Sequence, residues 1–140
     1  MREILFRGKT LSGKWVEGFF LIRKERCKGD KTFMSEETII SSGICEISGA
    51  YAERTEVLED EVIPETVGQY TGLNDKNGKK IFEGDIVSIV YAPGTPTVIN
   101  TVVEYIGASF YGSTNYDCWE LDNYSELEVI GNIHDNPELL

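Results

Sequence analysis

The sequence has few of the residues on which disulfide frameworks, metal centres and most catalytic sites depend. It contains three cysteines, Cys27, Cys45 and Cys118, and a single histidine, His134, in 140 residues. The cysteine number is odd and no pair has CxxC spacing, which argues against a disulfide scaffold and against a structural zinc site. We therefore predict free thiols in a reducing cytoplasm, with no metal and no other cofactor.

Basic residues are scarce as well. Thirteen Lys and Arg oppose 24 Asp and Glu, which gives a formal net charge of −11. Because protein cations that neutralise phosphates dominate affinity for nucleic acids, this balance predicts that no nucleic acid is bound. The densest basic stretch is interpreted as the solvated end of a hairpin; it contains Arg23, Lys24, Arg26, Lys28 and Lys31.

Long apolar runs are missing too. No segment reaches the ~18 apolar residues of a membrane span, and the first seven residues lack the apolar stretch of a signal peptide. We therefore expect a soluble cytoplasmic protein that has no contact with a membrane. A length of 140 residues predicts one domain spanning residues 1–140.

Apolar residues alternate with polar ones in short runs, which is the two-residue period of strands. Residues 1–57 are expected to form an N-terminal β part. Within it, the strand from Trp15 to Ile22 is apolar on both faces, so we predict that both faces are covered. The acidic stretch from Glu56 to Glu65 is interpreted as a link to the second half.

The second half contains clearer turn signals. Asn74 to Gly78 and Glu83 to Asp85 are predicted reverse turns, and Ile86 to Tyr91 is a predicted strand. Five short strands joined by turns predict an SH3-like β-barrel over residues 66–134. The fold class is therefore mainly β, with antiparallel strands and little helix beyond a short turn near Pro137.

No arrangement of residues predicts a catalytic site. His134 could in principle activate Cys118 or a serine, but nothing in the spacing brings them together. The stretch from Asn74 to Gly78 superficially resembles the start of a calcium loop but lacks the closing acidic residue, so a plain turn is favoured. We therefore predict a non-enzyme, and a hydrolase or nuclease that uses Asp, Glu and His134 is the least favoured function.

Several strings, distributed over nearly the whole chain, carry a resemblance to a known family. They are Arg2 to Gly8, Gly13 to Gly18, Thr66 to Leu73, Asp75 to Gly78, Ile81 to Val87, Glu128 to Ile133 and Asn136 to Leu139. The chain resembles the YopX family of bacteriophage and prophage proteins. The resemblance implies a β-rich protein that assembles into oligomers, and it brings no assigned catalytic residue.

Gln69 and Tyr70 are the family-pattern residues that turn geometry explains least, so we predict an interaction surface there, near Asp75 and Asp85. Trp119 and Tyr124, aromatic residues among polar neighbours, are further candidates for an interaction surface, although packing in the core of the barrel is the favoured interpretation of Trp119. The favoured function is a non-enzymatic phage accessory protein that binds itself and a phage or host protein. The alternative is an acidic inhibitor or DNA mimic of a host nucleic-acid enzyme.

Overall fold

The computed structural model describes residues 3–26, 34–48, 53–90, 97–124 and 126–140. Eleven strands and three short 3₁₀ turns are seen in these ranges. The strands are β1 Phe6–Lys9, β2 Trp15–Arg26, β3 Met34–Ser48, β4 Glu53–Glu61, β5 Gly68–Asn74, β6 Lys80–Phe82, β7 Asp85–Val90, β8 Val98–Ile106, β9 Ser109–Ser113, β10 Cys118–Glu120 and β11 Glu128–Asn132. The 3₁₀ turns are Pro64–Thr66, Leu121–Asn123 and Pro137–Leu139. The prediction of a mainly antiparallel β protein with little helix is confirmed.

Residues 4–67 form one compact unit, here called the N-terminal unit. Its strands lie in the order β4-β3-β2-β1, and every neighbouring pair is antiparallel. Among the side chains described in this unit, Val16, Ile40 and Val62 form a buried apolar cluster, and Phe6 and Val67 pack against it. The register places Phe20 opposite Ile40, so these side chains lie on the core face of the sheet.

Residues 68–140 form the second compact unit together with Glu3, and it is here called the C-terminal unit. It contains the β5–β6 hairpin and a five-stranded antiparallel sheet in the order β10-β9-β8-β7-β11. Its core cluster is larger and consists of Ile81, Val87, Ile89, Val103, Phe110, Leu121 and Leu127. Among the described residues β10 and β11 are the edges of that sheet, so the SH3-like barrel stays a prediction.

Two glycines explain the predicted turns of the second half. Gly78 and Gly84 both have a φ of +81°, which a residue with a Cβ adopts only at a steric cost. Gly84 connects β6 to β7, and its N–H donates to the carbonyl of Val103 at 2.9 Å. The sequence therefore dictates where the chain reverses, and the strands follow between those points.

Two predictions about the N-terminal half are wrong. Residues 56–61 are not a link, because they are the second part of β4 and pair with β3 from Ile39 to Cys45. The strand β2 is not covered on both sides either, since Phe19 is 67% exposed and Ile22, on the other face, is 47% exposed. The predicted hairpin end at residues 27–31 lies outside the described residues. The single-domain prediction also stays a prediction.

Candidate functional site

Gln69 and Tyr70, the first two residues of the predicted interaction surface, lie in β5. The Tyr70 ring is buried against Phe82, with the ring centroids 5.6 Å apart. Its hydroxyl donates to Asn74 Oδ1 at 2.8 Å. Gln69 is half-buried, and its carbonyl accepts the N–H of Glu83 at 2.9 Å. Tyr70 therefore stabilises the hairpin and is not part of a surface, which corrects its assignment.

Asp75 is also not a surface residue, because only 6% of it is exposed. Its Oδ1 accepts the N–H groups of Asn77 at 2.8 Å and Lys79 at 2.9 Å, and its Oδ2 accepts the N–H of Val129 at 3.1 Å. Burial by itself raises the pKa of this carboxyl, but the three backbone donors and the charge of Lys79 outweigh it, so the pKa is lowered. The residue ties the hairpin turn to β11.

Asp85 is 1% exposed, so it too is removed from the predicted surface. Its Oδ2 accepts the N–H of Phe82 at 2.8 Å across the Glu83–Gly84 turn. A carboxylate in this position satisfies a backbone donor that the turn would otherwise leave buried and unpaired. Asp75 and Asp85 thus have the same role, which is to hold a turn by accepting backbone N–H groups.

Trp119 and Tyr124 are half-buried and both pack against the core cluster of the C-terminal unit. Trp119 lies in β10, opposite Gly112 of β9, and the Tyr124 N–H donates to the carbonyl of Leu121 at 3.2 Å. Core packing is therefore their main contact in this chain. Of the six residues predicted for an interaction surface, Gln69, Trp119 and Tyr124 keep partial exposure, and a role for them in binding stays a prediction.

His134 lies in the turn after β11, and its backbone N–H donates to Asn132 Oδ1 at 3.0 Å. The side chain is exposed, and so is Cys118 in β10. No group of three or more His, Cys, Asp or Glu side chains able to hold a metal ion is found within the described residues. The same part of the chain contains no helix of the length and apolarity needed to cross a bilayer.

Two cavities are present in the C-terminal unit, with volumes of about 250 and about 190 Å³. The larger lies on the outer face of β8 and β9, between Asn100, Val102 and Ser113. The smaller lies near Ser109 and Phe110 and is bordered by Glu120. Typical small-molecule pockets begin near ~300 Å³, so neither cavity defines a ligand site.

The feature that the sequence analysis missed is an exposed apolar face on the N-terminal unit. The register places Phe19, Ser41 and Glu59 opposite one another, so their side chains share one face of the sheet. Val57, two residues from Glu59 along β4, lies on the same face and is 55% exposed. We call this surface, which is defined by Phe19 and Val57, the apolar face. The sequence did contain a signal for the apolar face, because β2 has apolar residues on both of its sides.

The fold and these contacts define a class: an antiparallel β protein of two units, with buried carboxylates that hold turns and with exposed apolar side chains on strands of both units. Residues 21–140 match the family model described as YopX protein, so the chain belongs to the YopX family. No curated protein matches the sequence. The crystal structure of protein EF1440 from Enterococcus faecalis is similar, with a TM-score of 0.60 and 26% sequence identity, over 100% of this chain and 99% of that one.

Proposed function

We propose that this chain is a non-enzymatic accessory protein of a phage or prophage, which acts in the bacterial cytoplasm by binding proteins, copies of itself included. The observation that carries the proposal is the apolar face. Phe19 is 67% exposed and Val57 is 55% exposed, although both belong to long regular strands. They lie on the same face of the sheet, on strands separated by β3, and a protein partner that covers this face would remove both from water.

The exposure of Phe19 also supplies the energy for such an association. Burial of apolar surface contributes roughly 25 cal/mol for each Å² removed from water. A second copy that covers the Phe19 ring, which is 67% exposed, would gain this contribution.

Association measured by analytical ultracentrifugation tests the proposal. We expect wild-type protein to form a discrete oligomer, and Phe19→Ser combined with Val57→Ser to weaken association by about tenfold or more, since a buried aromatic residue dominates such contacts. The matched control is Tyr116→Ser with Val98→Ser, two exposed apolar residues of the C-terminal unit. A wild type that stays monomeric at all accessible concentrations, or an equal loss in the control, would contradict the proposal.

The barrel predicted for residues 66–134 is kept as part of this proposal. Its support is a contact between the hairpin turn and one edge of the five-stranded sheet. The N–H of Lys76 donates to the carbonyl of Leu127 at 2.9 Å, next to the bond from the Val129 N–H to Asp75. Such contacts bring the hairpin against β11, as closure of a small barrel requires.

The two other functions predicted from the sequence stay predictions. A DNA mimic needs carboxylates in a row on one face, but β4 has Glu59 and Glu61 on one face and Asp60 on the other. A hydrolase would need reactive carboxylates, and Asp75 and Asp85 accept backbone N–H groups instead. An assay in which His134→Ala abolishes turnover would favour the hydrolase over the function proposed here.

A further inference from the structure

Strand β4 is the edge of the N-terminal sheet. It pairs with β3 along its length, and it is the edge among the described strands. Just past its end, Val62 forms an isolated antiparallel bridge with Thr10, and the N–H of Ile63 donates to the carbonyl of Lys9 at 2.8 Å, so the outer side is occupied next to Glu61. The N–H of Val62 also donates to the carbonyl of Thr38 at 2.9 Å, and because backbone groups of an antiparallel strand alternate in direction, those of Glu59 and Val57 point away from β3. These outward groups form a template to which another extended chain can add.

The side chains along this edge are mainly acidic. Four of the six residues from Glu56 to Glu61 are Glu or Asp, and the other two are Val57 and Leu58. Both aliphatic residues are exposed, at 55% and 47%, and they lie on opposite faces of the strand. Among the described side chains, Glu59 is the member of this segment that forms an ion pair, with Arg23. Most of the charge is therefore available to a partner.

A second copy of β4 is a poor partner for this edge. In an antiparallel pair about a two-fold axis at Leu58, Glu56 faces Asp60 of the other copy. If the axis is at Glu59, this residue faces Glu59 of the other copy. Like charges directly opposite each other destabilise a pair of strands, so both of these registers are disfavoured. A basic strand in the same place would meet opposite charges instead.

We propose that β4 binds an extended, basic segment of another protein, which adds to the sheet as an antiparallel strand. Backbone hydrogen bonds to Val57 and Glu59 would supply affinity. Lys or Arg side chains on both faces of the added strand would meet Glu59 and Glu61 on one side and Glu56 and Asp60 on the other. Apolar residues between those cations would cover Val57 and Leu58. The proposal deepens the protein-binding function proposed above; Val57 belongs both to this edge and to the apolar face, whereas Phe19 belongs to the apolar face alone.

The test uses a fluorescein-labelled lysine–valine peptide, blocked at both ends, and fluorescence anisotropy with the full chain. We expect saturable binding that weakens as salt is raised, because opposite charges steer and hold the two partners. The same peptide with alternate backbone nitrogens methylated keeps its charge but loses its donors on one edge. We expect it to bind at least about fivefold more weakly, since strand addition depends on those hydrogen bonds.

Charge variants of the protein complete the test. Glu56→Lys with Glu61→Lys is expected to weaken peptide binding by about tenfold. The matched control, Glu104→Lys with Glu138→Lys, changes the net charge equally at exposed positions of the C-terminal unit and should leave binding within about twofold. Circular dichroism confirms that both variants are folded.

Absence of peptide binding to folded wild type, equal binding of the methylated peptide, or equal losses in the two variants would each overturn the proposal. Self-association of the Glu56→Lys, Glu61→Lys variant is measured in parallel. If that variant still forms the oligomer but the wild type binds no peptide, the edge proposal fails alone and the function proposed above stands.

Discussion

The two units of this protein are built from the same kind of antiparallel strand, but they place a phenylalanine ring in opposite environments. In the C-terminal unit Phe82 is 1% exposed, and buried carboxylates hold the turns. In the N-terminal unit long strands leave Phe19 and Val57 in contact with water. Exposed apolar side chains such as Val98 occur in the C-terminal unit too, so the comparison teaches that the position of a ring on its sheet, and not the unit it belongs to, decides what it contributes to stability.

The sharpest way to break this comparison is the same substitution in both units. Phe82→Ala in the C-terminal unit removes a ring that is 1% exposed and is expected to lower the free energy of unfolding by about 3–5 kcal/mol. Phe19→Ala in the N-terminal unit should lower it by less than about 1 kcal/mol, because the ring is largely in water. Urea unfolding at low protein concentration measures both. Similar losses of unfolding free energy in the two variants would show that Phe19 contributes to stability as much as the buried Phe82 does.

The next largest effect is expected for the buried carboxylate of the hairpin turn. Asp75→Ala leaves three backbone N–H groups without their acceptor and should lower the free energy of unfolding by about 1–3 kcal/mol. Asp117→Ala is the matched control, because Asp117 is exposed in a loop of the same unit. Thermal unfolding at neutral pH compares the two variants, and an equal loss in the control would contradict the role assigned to Asp75.

The stabilisation by Asp75 also depends on pH, in a direction fixed by its pKa. The pKa in the folded protein is lowered from the ordinary value of 3.8, so the unfolded chain takes up the proton more readily. The stabilisation is therefore fully present above the pKa of Asp75 in the unfolded chain, and it is lost as the pH falls through the lower pKa of Asp75 in the folded protein. We expect the stability difference between wild type and Asp75→Ala to shrink below about pH 4. A difference that stays constant into that range would argue that the carboxylate charge is unimportant.

The smallest effect is expected for the ion pairs of the N-terminal sheet. Arg23 reaches Glu37 on β3 at 3.7 Å and Glu59 on β4. All three side chains are partly exposed, so Arg23→Gln should lower the free energy of unfolding by less than about 1 kcal/mol. The difference should disappear in about 1 M salt, because the screening length falls to a few ångströms. A large, salt-independent loss would mean that Arg23 contributes packing as well as charge.

Much of the C-terminal unit could be predicted from the sequence because its turns use residues with special backbone freedom. The predicted strand from Ile86 to Tyr91 corresponds to β7 at Asp85–Val90, and the turns on either side of β6 contain Gly78 and Gly84 with positive φ. The short helical turn expected near Pro137 is also confirmed, at Pro137–Leu139. Local backbone preferences determine where these turns form, so a local sequence pattern was sufficient to predict them.

The predictions that were wrong concern residues whose structure depends on contacts with residues distant in the sequence. The acidic composition of residues 56–61 suggested a solvated link, but pairing with β3 makes the segment a strand. The bond from Asp75 to Asn77 follows from a short Asx pattern, whereas the bond to Val129 joins residues 54 positions apart and has no local signal. Alternation in β2 indicated two apolar faces, but a strand pattern does not tell whether a second layer covers them.

The bonds that join the Asp75 turn to β11 have a consequence for how the protein is made. Lys76 donates to the carbonyl of Leu127, and Val129 donates to Asp75, so the turn cannot be completed until residues 127–129 have left the ribosome. Closing such long loops is slow compared with forming a hairpin. The turn at Asp75 therefore reaches its native contacts only after residues 127–129 have been translated, however early the β5–β6 hairpin forms.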